Sequence, residues 1–263
     1  MRGIICYYSG SGNTKLACRY LARHLEAIDF DFLDITQQEA PDFEPYDLVG
    51  FATFADFYGP PQLFQNFLEA LPQQAGKPAF VLNTYGFIGG RTLQTLAEWT
   101  STRGFNILAG HALHTPESFP LLNALGVGKQ APSQRSCAEF DRFIEQLAGL
   151  LQQIQSGSTV QTQEIHLSFL NSLFPRIPRT APQTLMGKKY VDETRCTACG
   201  LCASVCPCDA IRLTPKPVFD ESRCHGCWAC YNHCPEQAIH TKIIRGIGHY
   251  PRPSAQMRKK LSK

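Results

Sequence analysis

Eight cysteines in the C-terminal part of the chain follow one spacing that occurs twice. "CTACGLCASVCP" (196–207) and "CHGCWACYNHCP" (224–235) both read C-x2-C-x2-C-x3-C-P, 28 residues apart. Four thiolates at this spacing suit a [4Fe–4S] cluster, in which one loop supplies three ligands and the cysteine before proline binds the other cluster. The spacing therefore predicts one cluster on Cys196, Cys199, Cys202 and Cys234, and a second on Cys224, Cys227, Cys230 and Cys206.

Two zinc sites are the alternative interpretation of these eight cysteines. Zinc also accepts four thiolates, but usually from two separated C-x2-C pairs. Here two C-x2-C steps run together and end in C-x3-C-P, which favours iron–sulfur clusters. Structural disulfides are disfavoured in a cytosolic chain, and Cys6, Cys18 and Cys137 stand isolated in the sequence.

A glycine-rich turn near the N-terminus offers a second kind of chemistry. "SGSGNT" (9–14) lies between an apolar strand pattern and an amphipathic helix pattern. A phosphate fits such a place, because a helix N-terminus carries free N–H groups and a partial positive charge. The turn matches neither the P-loop G-x4-G-K-[ST] nor the dinucleotide motif G-x-G-x2-G. The candidate phosphate ligands are Ser9, Gly10, Ser11, Gly12, Asn13 and Thr14, and a capping turn without phosphate is the alternative.

Strand and helix patterns alternate through the first 155 residues. Such alternation predicts a parallel sheet with helices on both faces. Strands are predicted at 2–9, 29–35, 46–53, 77–86 and 105–114, and helices at 13–26, 60–71, 90–104 and 133–155.

Charge divides the chain in the same way as the motifs. Residues 1–150 carry 10 Lys+Arg against 15 Asp+Glu, whereas residues 151–263 carry 15 against 7. A basic region can indicate nucleic acid or an acidic membrane surface. Basic residues that offset cluster thiolates are the simpler account, and we expect no nucleic-acid partner.

The 263 residues suit two domains. No run of 18 apolar residues occurs, so no membrane-spanning helix is predicted, and the absence of a signal-peptide pattern predicts a cytoplasmic protein. The predicted organisation is a domain at 1–155, a linker at 156–188 with a short amphipathic helix in "IHLSFLNSLF" (165–174), a cluster domain at 189–245, and a basic tail at 246–263 whose end, "MRKKLSK", is disordered and solvated.

The motifs resemble two known families joined in one chain. Residues 189–241 resemble bacterial-type two-[4Fe–4S] ferredoxins, and "SGSGNT" resembles the FMN phosphate loop [ST]-x-[ST]-G-N-T of flavodoxins. The whole resembles EFR-type flavodoxin–ferredoxin fusions, in which a segment similar to "GIGHYPRP" (246–253) closes the ferredoxin domain. The resemblance implies an α/β flavodoxin-like sheet of order 2-1-3-4-5, an α+β ferredoxin-like domain, FMN, two [4Fe–4S] clusters and redox partner proteins.

One cysteine departs from the ferredoxin pattern. Cys208 follows Pro207 directly. We expect a small packed residue there; an additional ligand or a redox-sensitive thiol are the alternatives. Trp228, Tyr231, His225 and His233 lie between or beside the predicted ligands and are expected to pack around the clusters.

In flavodoxins the loops after strands three and four enclose the isoalloxazine ring. Here these are "TFADFYGPP" (53–61) and "TYGFIGG" (84–90). Aromatic faces stack on a flat ring, and glycine amides can reach its edge; plain loop packing is the alternative for any one of these residues. The candidate ring contacts are Thr53, Phe54, Tyr58, Gly59, Thr84, Tyr85, Gly86, Phe87 and Gly89, with Phe57 as a further aromatic.

Three functions are compatible with these motifs. The first is an electron carrier, which needs no acid, base or nucleophile, and no catalytic residue is assigned. The second is an FMN-dependent reductase of a small organic substrate fed by the clusters, with Tyr58, Asp56 or His114 as proton donor. The third is an FMN-free domain that docks the ferredoxin on a partner.

Overall fold

The computed structural model describes residues 1–158, 160–165, 169–174, 177 and 187–262. Five parallel strands form one sheet in the order β2-β1-β3-β4-β5. This is the flavodoxin-like strand order, so the predicted fold class is confirmed. The strands are β1 (Arg2–Tyr7), β2 (Asp29–Asp34), β3 (Leu48–Phe54), β4 (Lys77–Tyr85) and β5 (Phe105–His114).

Helices cover both faces of this sheet, and each face has its own apolar layer. One layer lies under α1 (Asn13–His24) and α5 (Gln134–Gln155). The other lies under α2 (Gln62–Ala70) and α3 (Thr92–Thr102). A short helix, α4 (Pro120–Ala124), follows β5. Because both faces are covered, the central strands are continuous apolar runs.

Central and edge strands differ in sequence for that reason. In β3, "LVGFATF", every residue but the last is buried. Gly50 leaves room for the ring of Phe80, since a Cβ on Gly50 would lie 2.3 Å from Phe80 Cζ. In β2, "DFDFLD", only Leu33 is fully buried, as expected for a sheet edge.

The C-terminal region consists of two interleaved copies of one small unit. Each copy runs strand, cysteine loop, helical turn, strand. The first strand of one copy pairs with the last strand of the other in an antiparallel ladder, and the remaining two strands pair likewise. The elements are β6 (Tyr190–Val191), α7 (Leu201–Ser204), β7 (Ile211–Leu213), β8 (Pro217–Phe219), α8 (Ala229–His233) and β9 (Ile239–His240).

The first residues of the segment predicted as a linker pack along the outer edge of the sheet. Gln163 N donates to Ile107 O at 2.7 Å, and Asn106 Nδ2 donates to Val160 O at 3.1 Å. Ile165 packs on the layer under α2 and α3. Of the predicted helix at 165–174, the backbone of α6 (Phe169–Ser172) is helical, and residues 166–168 lie outside the described part.

The prediction of a disordered, solvated C-terminal end is wrong. Residues Ala255–Lys260 form α9, whose Met257 is fully buried against the layer under α1 and α5, together with Leu261 just after the helix. Lys260 Nζ donates to Pro132 O at 2.6 Å. Met257 and Leu261 are four residues apart and share one side of the helix, whereas Arg258 and Lys259 are exposed. The burial of Met257 and Leu261 outweighs the polar composition of "MRKKLSK".

Candidate functional site

Eight of the cysteines surround two small cavities. Each cavity takes three cysteines from one repeat and one from the other, as predicted from the spacing. A tight loop and a helical turn border each cavity and bring the cysteine side chains together around it. The first cluster site is lined by Cys196, Cys199, Cys202 and Cys234, and the second cluster site by Cys224, Cys227, Cys230 and Cys206.

Matching turns set the start of each cysteine loop. Cys196 N donates to Asp192 O at 3.0 Å, and Cys224 N donates to Asp220 O at 3.1 Å. Each aspartate carboxylate accepts a hydroxyl hydrogen bond of 2.6 Å, from Thr194 in one copy and from Ser222 in the other. These hydroxyl hydrogen bonds hold the pKa of both carboxyls below the usual value.

Backbone donors also face the sulfurs at equivalent positions. Ala210 N donates to Cys206 Sγ and Ala238 N to Cys234 Sγ, both at 3.3 Å. Such donors stabilise thiolates bound to iron. The two loops differ at one point: Gly200 (φ 80°) precedes α7, whereas Trp228 (φ 63°) holds the same left-handed conformation before α8.

Trp228 is held in this uncommon backbone conformation by packing. It is buried, and its ring contacts Phe119 at 5.6 Å and Tyr231 at 5.3 Å between centroids. The ammonium group of buried Lys189 lies 4.0 Å from its ring centroid. A buried cation beside the second cluster site suits a cluster that carries net negative charge.

The cysteines differ in exposure. Cys199 of the first cluster site is exposed, whereas Cys202 and Cys230 are buried. Cys208 joins the four cysteines that line the second cluster site, and burial raises its pKa to about 12. Among the described residues, no three His, Cys, Asp or Glu side chains converge as closely as a single metal ion requires.

The predicted phosphate loop lies where β1 passes into α1. Gly12 (φ 90°) caps α1 without a side-chain hydrogen bond of its own, and Lys15 N donates to Ser9 Oγ at 3.2 Å. The N–H groups of Asn13 and Thr14 in the first turn are left for a ligand. Thr14 Oγ1 lies 2.9 Å from Thr84 Oγ1 and ties the loop to the end of β4. The loop borders a cavity of about 40 Å³ lined by Ser9, Gly10, Ser11, Asn13, Thr14, Thr84, Tyr85 and Gly86 among others.

The C-terminal region covers the outside of this loop. Tyr250 Oη donates to Asn13 Oδ1 at 2.9 Å, and Asn13 Nδ2 donates to Pro116 O at the same distance. His233 Nε2 donates to Gly10 O at 3.1 Å. A Cβ on Gly12 would lie 2.9 Å from Pro253 Cδ. The "GIGHYPRP" segment and His233 therefore pack on the phosphate loop, which the sequence patterns do not predict.

A larger cavity of about 460 Å³ adjoins the loop. It lies between the loops after β3, β4 and β5 and the second cysteine loop. Its walls are mainly apolar and aromatic. They are formed by Phe54, Ala55, Asp56, Phe57, Tyr58, Gly86, Phe87, Ile88, Glu117, Ser118, Phe119, Leu121, Leu122, Gly226, Cys227, Trp228, Ile243 and Ile244.

The predicted ring contacts divide into four groups. Tyr58 and Phe87 line the larger cavity, Thr84 and Tyr85 line the smaller one, and Phe54 and Gly86 line both. The remaining three, Thr53, Gly59 and Gly89, line neither of these cavities.

Sequence reasoning missed one whole wall of the larger cavity. Residues 117–122, after β5, lie opposite the predicted loops. Glu117 Oε1 accepts from Ser118 N at 2.8 Å and Phe119 N at 3.0 Å, which shapes the turn into α4. This wall could have been predicted, because the carboxyl end of β5 lies at the same sheet edge as the carboxyl ends of β3 and β4.

Cys227 connects the cysteine loops to both cavities. It lines the second cluster site, the larger cavity and the small cavity at the phosphate loop. Asn232, which lies in α8 two residues after Cys230, donates through Nδ2 to Ser118 O at 3.0 Å and fixes this junction. A cluster bound here would therefore lie next to whatever occupies the larger cavity.

Comparison with known families identifies the cysteine repeats. Residues 189–212 and 217–240 each match the family described as "4Fe-4S binding domain". The prediction of [4Fe–4S] clusters rather than zinc is thereby confirmed. Such domains are typical of electron transfer. Among curated proteins, none matches the sequence.

Solved flavodoxins are similar to part of the chain. A flavodoxin from the domain Archaea is 17% identical, covers 58% of this chain and 99% of its own, and has a TM-score of 0.43. Flavodoxin 2 from Bacillus cereus is 17% identical, with coverages of 57% and 99% and a TM-score of 0.46. A flavodoxin from Streptococcus pneumoniae TIGR4 is 18% identical, with coverages of 57% and 99% and a TM-score of 0.44.

The chain thus joins a sheet of flavodoxin-like strand order to a 4Fe–4S binding region. This is the organisation that the resemblance to flavodoxin–ferredoxin fusions implies. In the described part of the chain, no helix has the length and apolar character needed to cross a membrane.

Proposed function

We propose that this protein transfers electrons between two [4Fe–4S] clusters and FMN. The observation that carries the proposal is the position of Cys227. This residue lines the second cluster site and also both cavities beside the phosphate loop. A cluster ligand in the wall of a flavin site would give a short path for electrons, without an intermediate carrier.

The two cavities have the donor chemistry that FMN requires. First-turn N–H groups of α1 and the hydroxyls of Ser9, Ser11 and Thr14 would hold the phosphate. The apolar walls around Phe54 and Phe87 would hold the flat ring. FMN supplies a centre that accepts either one or two electrons, whereas each cluster passes one.

The exposure of the two cluster sites indicates the order in which electrons would pass through the three centres. Cys199 at the first cluster site is exposed, whereas the second site adjoins the larger cavity. A redox partner protein would therefore reach the first cluster, and electrons would pass through the second cluster to or from the flavin. In this scheme the side chains hold the three centres, keep them apart and shield them from solvent. Electron transfer between the two clusters requires no proton donor.

A reductase is the second candidate, because the larger cavity has an exposed apolar rim. Phe87, Leu121 and Ile243 line this cavity and are 52%, 42% and 74% exposed. An opening of this kind would admit a small apolar substrate beside the ring. The proposal of a carrier requires instead that the flavin itself fills the cavity.

The test begins with protein reconstituted anaerobically with iron, sulfide and FMN. We expect eight irons and one FMN per chain from the two [4Fe–4S] frames and the single phosphate loop. A short pulse of a one-electron reductant should reduce the clusters first and the flavin afterwards. Cys199→Ser and Cys227→Ser, one ligand in each site, separate the roles of the two clusters.

Each outcome selects one function. Reduction of the flavin through the clusters, with no turnover of added small quinones or nitro compounds, supports the carrier. Steady turnover of such compounds at the flavin supports the reductase. Full iron content without bound FMN contradicts both and leaves the FMN-free docking domain.

A further inference from the structure

Lys189 is a buried cation in the wall of the second cluster site. It is 5% exposed and lines that site together with Trp228 of the second cysteine loop. Its ammonium group lies 4.0 Å from the Trp228 ring centroid, which holds the charge against this loop. Among the described residues, no carboxylate lies within ion-pair distance of the ammonium group. A buried ammonium group is unfavourable unless an anion lies close to it, and a cluster with four thiolate ligands is such an anion.

The first cluster site differs at the two equivalent positions. The cysteine frames are 28 residues apart, so Lys189 and Trp228 correspond to Pro217 and Gly200. Pro217 and Gly200 both line the first site. The described residues around that site include no lysine or arginine, and Glu236 contributes a carboxylate there. The two sites therefore differ in charge although their cysteines are equivalent.

Other features that affect a cluster are matched between the two copies. Lys188 and Lys216 occupy equivalent positions, and neither is buried. In each site one alanine N–H donates to a cysteine sulfur at 3.3 Å. Exposed lysines and backbone donors to sulfur are thus present in both copies, whereas the buried ammonium group belongs to the second site alone among the described residues.

Burial of the second site affects how readily a cluster there is reduced. Reduction adds one negative charge to a cluster, and water stabilises this charge at an exposed site. Cys199 of the first site is exposed, whereas Cys230 of the second site is buried. Burial alone would therefore make the second cluster harder to reduce than the first. A buried ammonium group offsets this cost, because charges interact strongly where water is excluded.

We propose that Lys189 selectively raises the reduction potential of the second cluster and so makes this cluster the acceptor of electrons from the first. Each electron comes from a reduced redox partner protein through the first cluster and leaves to FMN, and no bond forms or breaks in these steps. Lys189 binds no iron and acts through its charge. The direction of electron flow rests on the proposed function, whereas the effect on the potential requires only the clusters.

The test compares Lys189→Met with wild-type holoprotein in an EPR-monitored redox titration. Methionine keeps an unbranched apolar side chain and removes the charge. We expect the reduction equilibrium of one cluster to weaken by about tenfold, which is about 59 mV for one electron, and the potential of the other cluster to stay unchanged. Lys188→Met is the matched control, because it removes the neighbouring exposed lysine. At high ionic strength, which screens exposed charges, Lys188→Met should leave both potentials unchanged.

A reciprocal variant tests the same charge at the other site. Pro217→Lys places a cation at the equivalent position of the first site, and it should raise the potential of the cluster that Lys189→Met leaves unchanged. This variant decides the question if Lys189→Met loses iron.

Two results would overturn the inference. One is equal potentials in Lys189→Met and wild type, or a shift of the same size in Lys188→Met. The other is an unchanged potential in Pro217→Lys with full iron content. The FMN content of the wild type tests the proposed function separately: flavin-free protein that shows the expected shifts would contradict that function and support the effect of Lys189 on the cluster.

Discussion

The two regions of this chain reach a stable fold by different physical means. The flavodoxin-like sheet buries two continuous apolar layers, and several aromatic side chains, including Phe51, Phe64 and Phe80, are fully buried. The core of the cluster region is small and combines two cysteines and three isoleucines with Trp228 and Tyr231. Its ladders have only two or three residues per strand.

This difference indicates what each region needs in order to fold. A sheet with two apolar layers is stabilised by burial alone. A unit of about fifty residues buries too little surface, so metal binding contributes much of its folding free energy. The C-terminal segment joins the two, because Met257 and Leu261 pack in the core of the other region.

Removal of iron should have the largest effect and should separate the regions. In iron-free protein we expect the amides of the β6–β9 ladder to lose their protection from hydrogen exchange, because the cysteine loops lose their shared ligand. Amides of β1 and β3 should remain protected. Hydrogen exchange followed by mass spectrometry checks this. Restoration by iron and sulfide is the control, and retained protection at 189–240 in iron-free protein would contradict the comparison.

Shortening a side chain in the core of the sheet should lower the stability of the first region only. Phe80→Ala removes a fully buried ring that packs over Gly50, and we expect a loss of about 3–5 kcal/mol in the free energy of unfolding. Chemical denaturation followed by far-UV circular dichroism measures it. The control is Phe32→Ala on the edge strand, which is 38% exposed and should cost about 1 kcal/mol or less. Equal losses in the two variants would be inconsistent with a burial-stabilised sheet.

The regions should also respond to acid at different pH. Burial lowers the pKa of His111 to about 4, and its ring lies between Phe140 and Phe143 with Nε2 unpartnered. Its folded pKa lies below its unfolded pKa near 6.5, so the unfolded state binds the proton first. Stability is therefore full above pH 6.5 and falls by up to about 3 kcal/mol as the pH drops to 4.

His111→Phe should flatten this dependence, which urea denaturation at several pH values would detect through Trp99 in α3. In the cluster region the depressed pKa values belong to Asp192 and Asp220. Their contribution is present above the unfolded pKa and is lost only as the pH falls below about 3.8 through the folded values. An unchanged slope in His111→Phe would show that other groups set the acid response of the sheet.

The smallest expected effect is at the contact between the regions. Tyr250→Phe removes a hydroxyl that donates to Asn13 Oδ1 at 2.9 Å and accepts from Ser254 N at 3.0 Å. We expect a loss of about 1–2 kcal/mol in docking of the C-terminal segment and several-fold weaker FMN binding. Tyr46→Phe, whose hydroxyl donates to Asp31 at the exposed edge, should leave FMN binding unchanged. FMN titration of both variants measures the difference.

The strands and the grouping of the cysteines around two sites were predictable, because local patterns determine them. The run "LVGFAT" is buried throughout and apolar at every position except Thr53, and the repeat of C-x2-C-x2-C-x3-C-P leaves the other repeat as the partner of each fourth cysteine. The wall formed by residues 117–122 was missed because neither periodicity nor glycine content marks it. The burial of Met257 and Leu261 in "MRKKLSK" was also missed, because two apolar residues among cations give a weak pattern.

The sequence by itself determined the two kinds of chemistry and the alternation of strands and helices, because thiolate spacing and hydrophobic periodicity act over short stretches of chain. The order of the strands was implied only by the resemblance to flavodoxins. Only the tertiary structure decided how the two regions meet. Contacts such as Tyr250 with Asn13 join residues 237 positions apart, and Cys227 reaches both cavities through the docking of whole units. No local pattern encodes such contacts, because they depend on the shape of two surfaces that exist only after each region has folded.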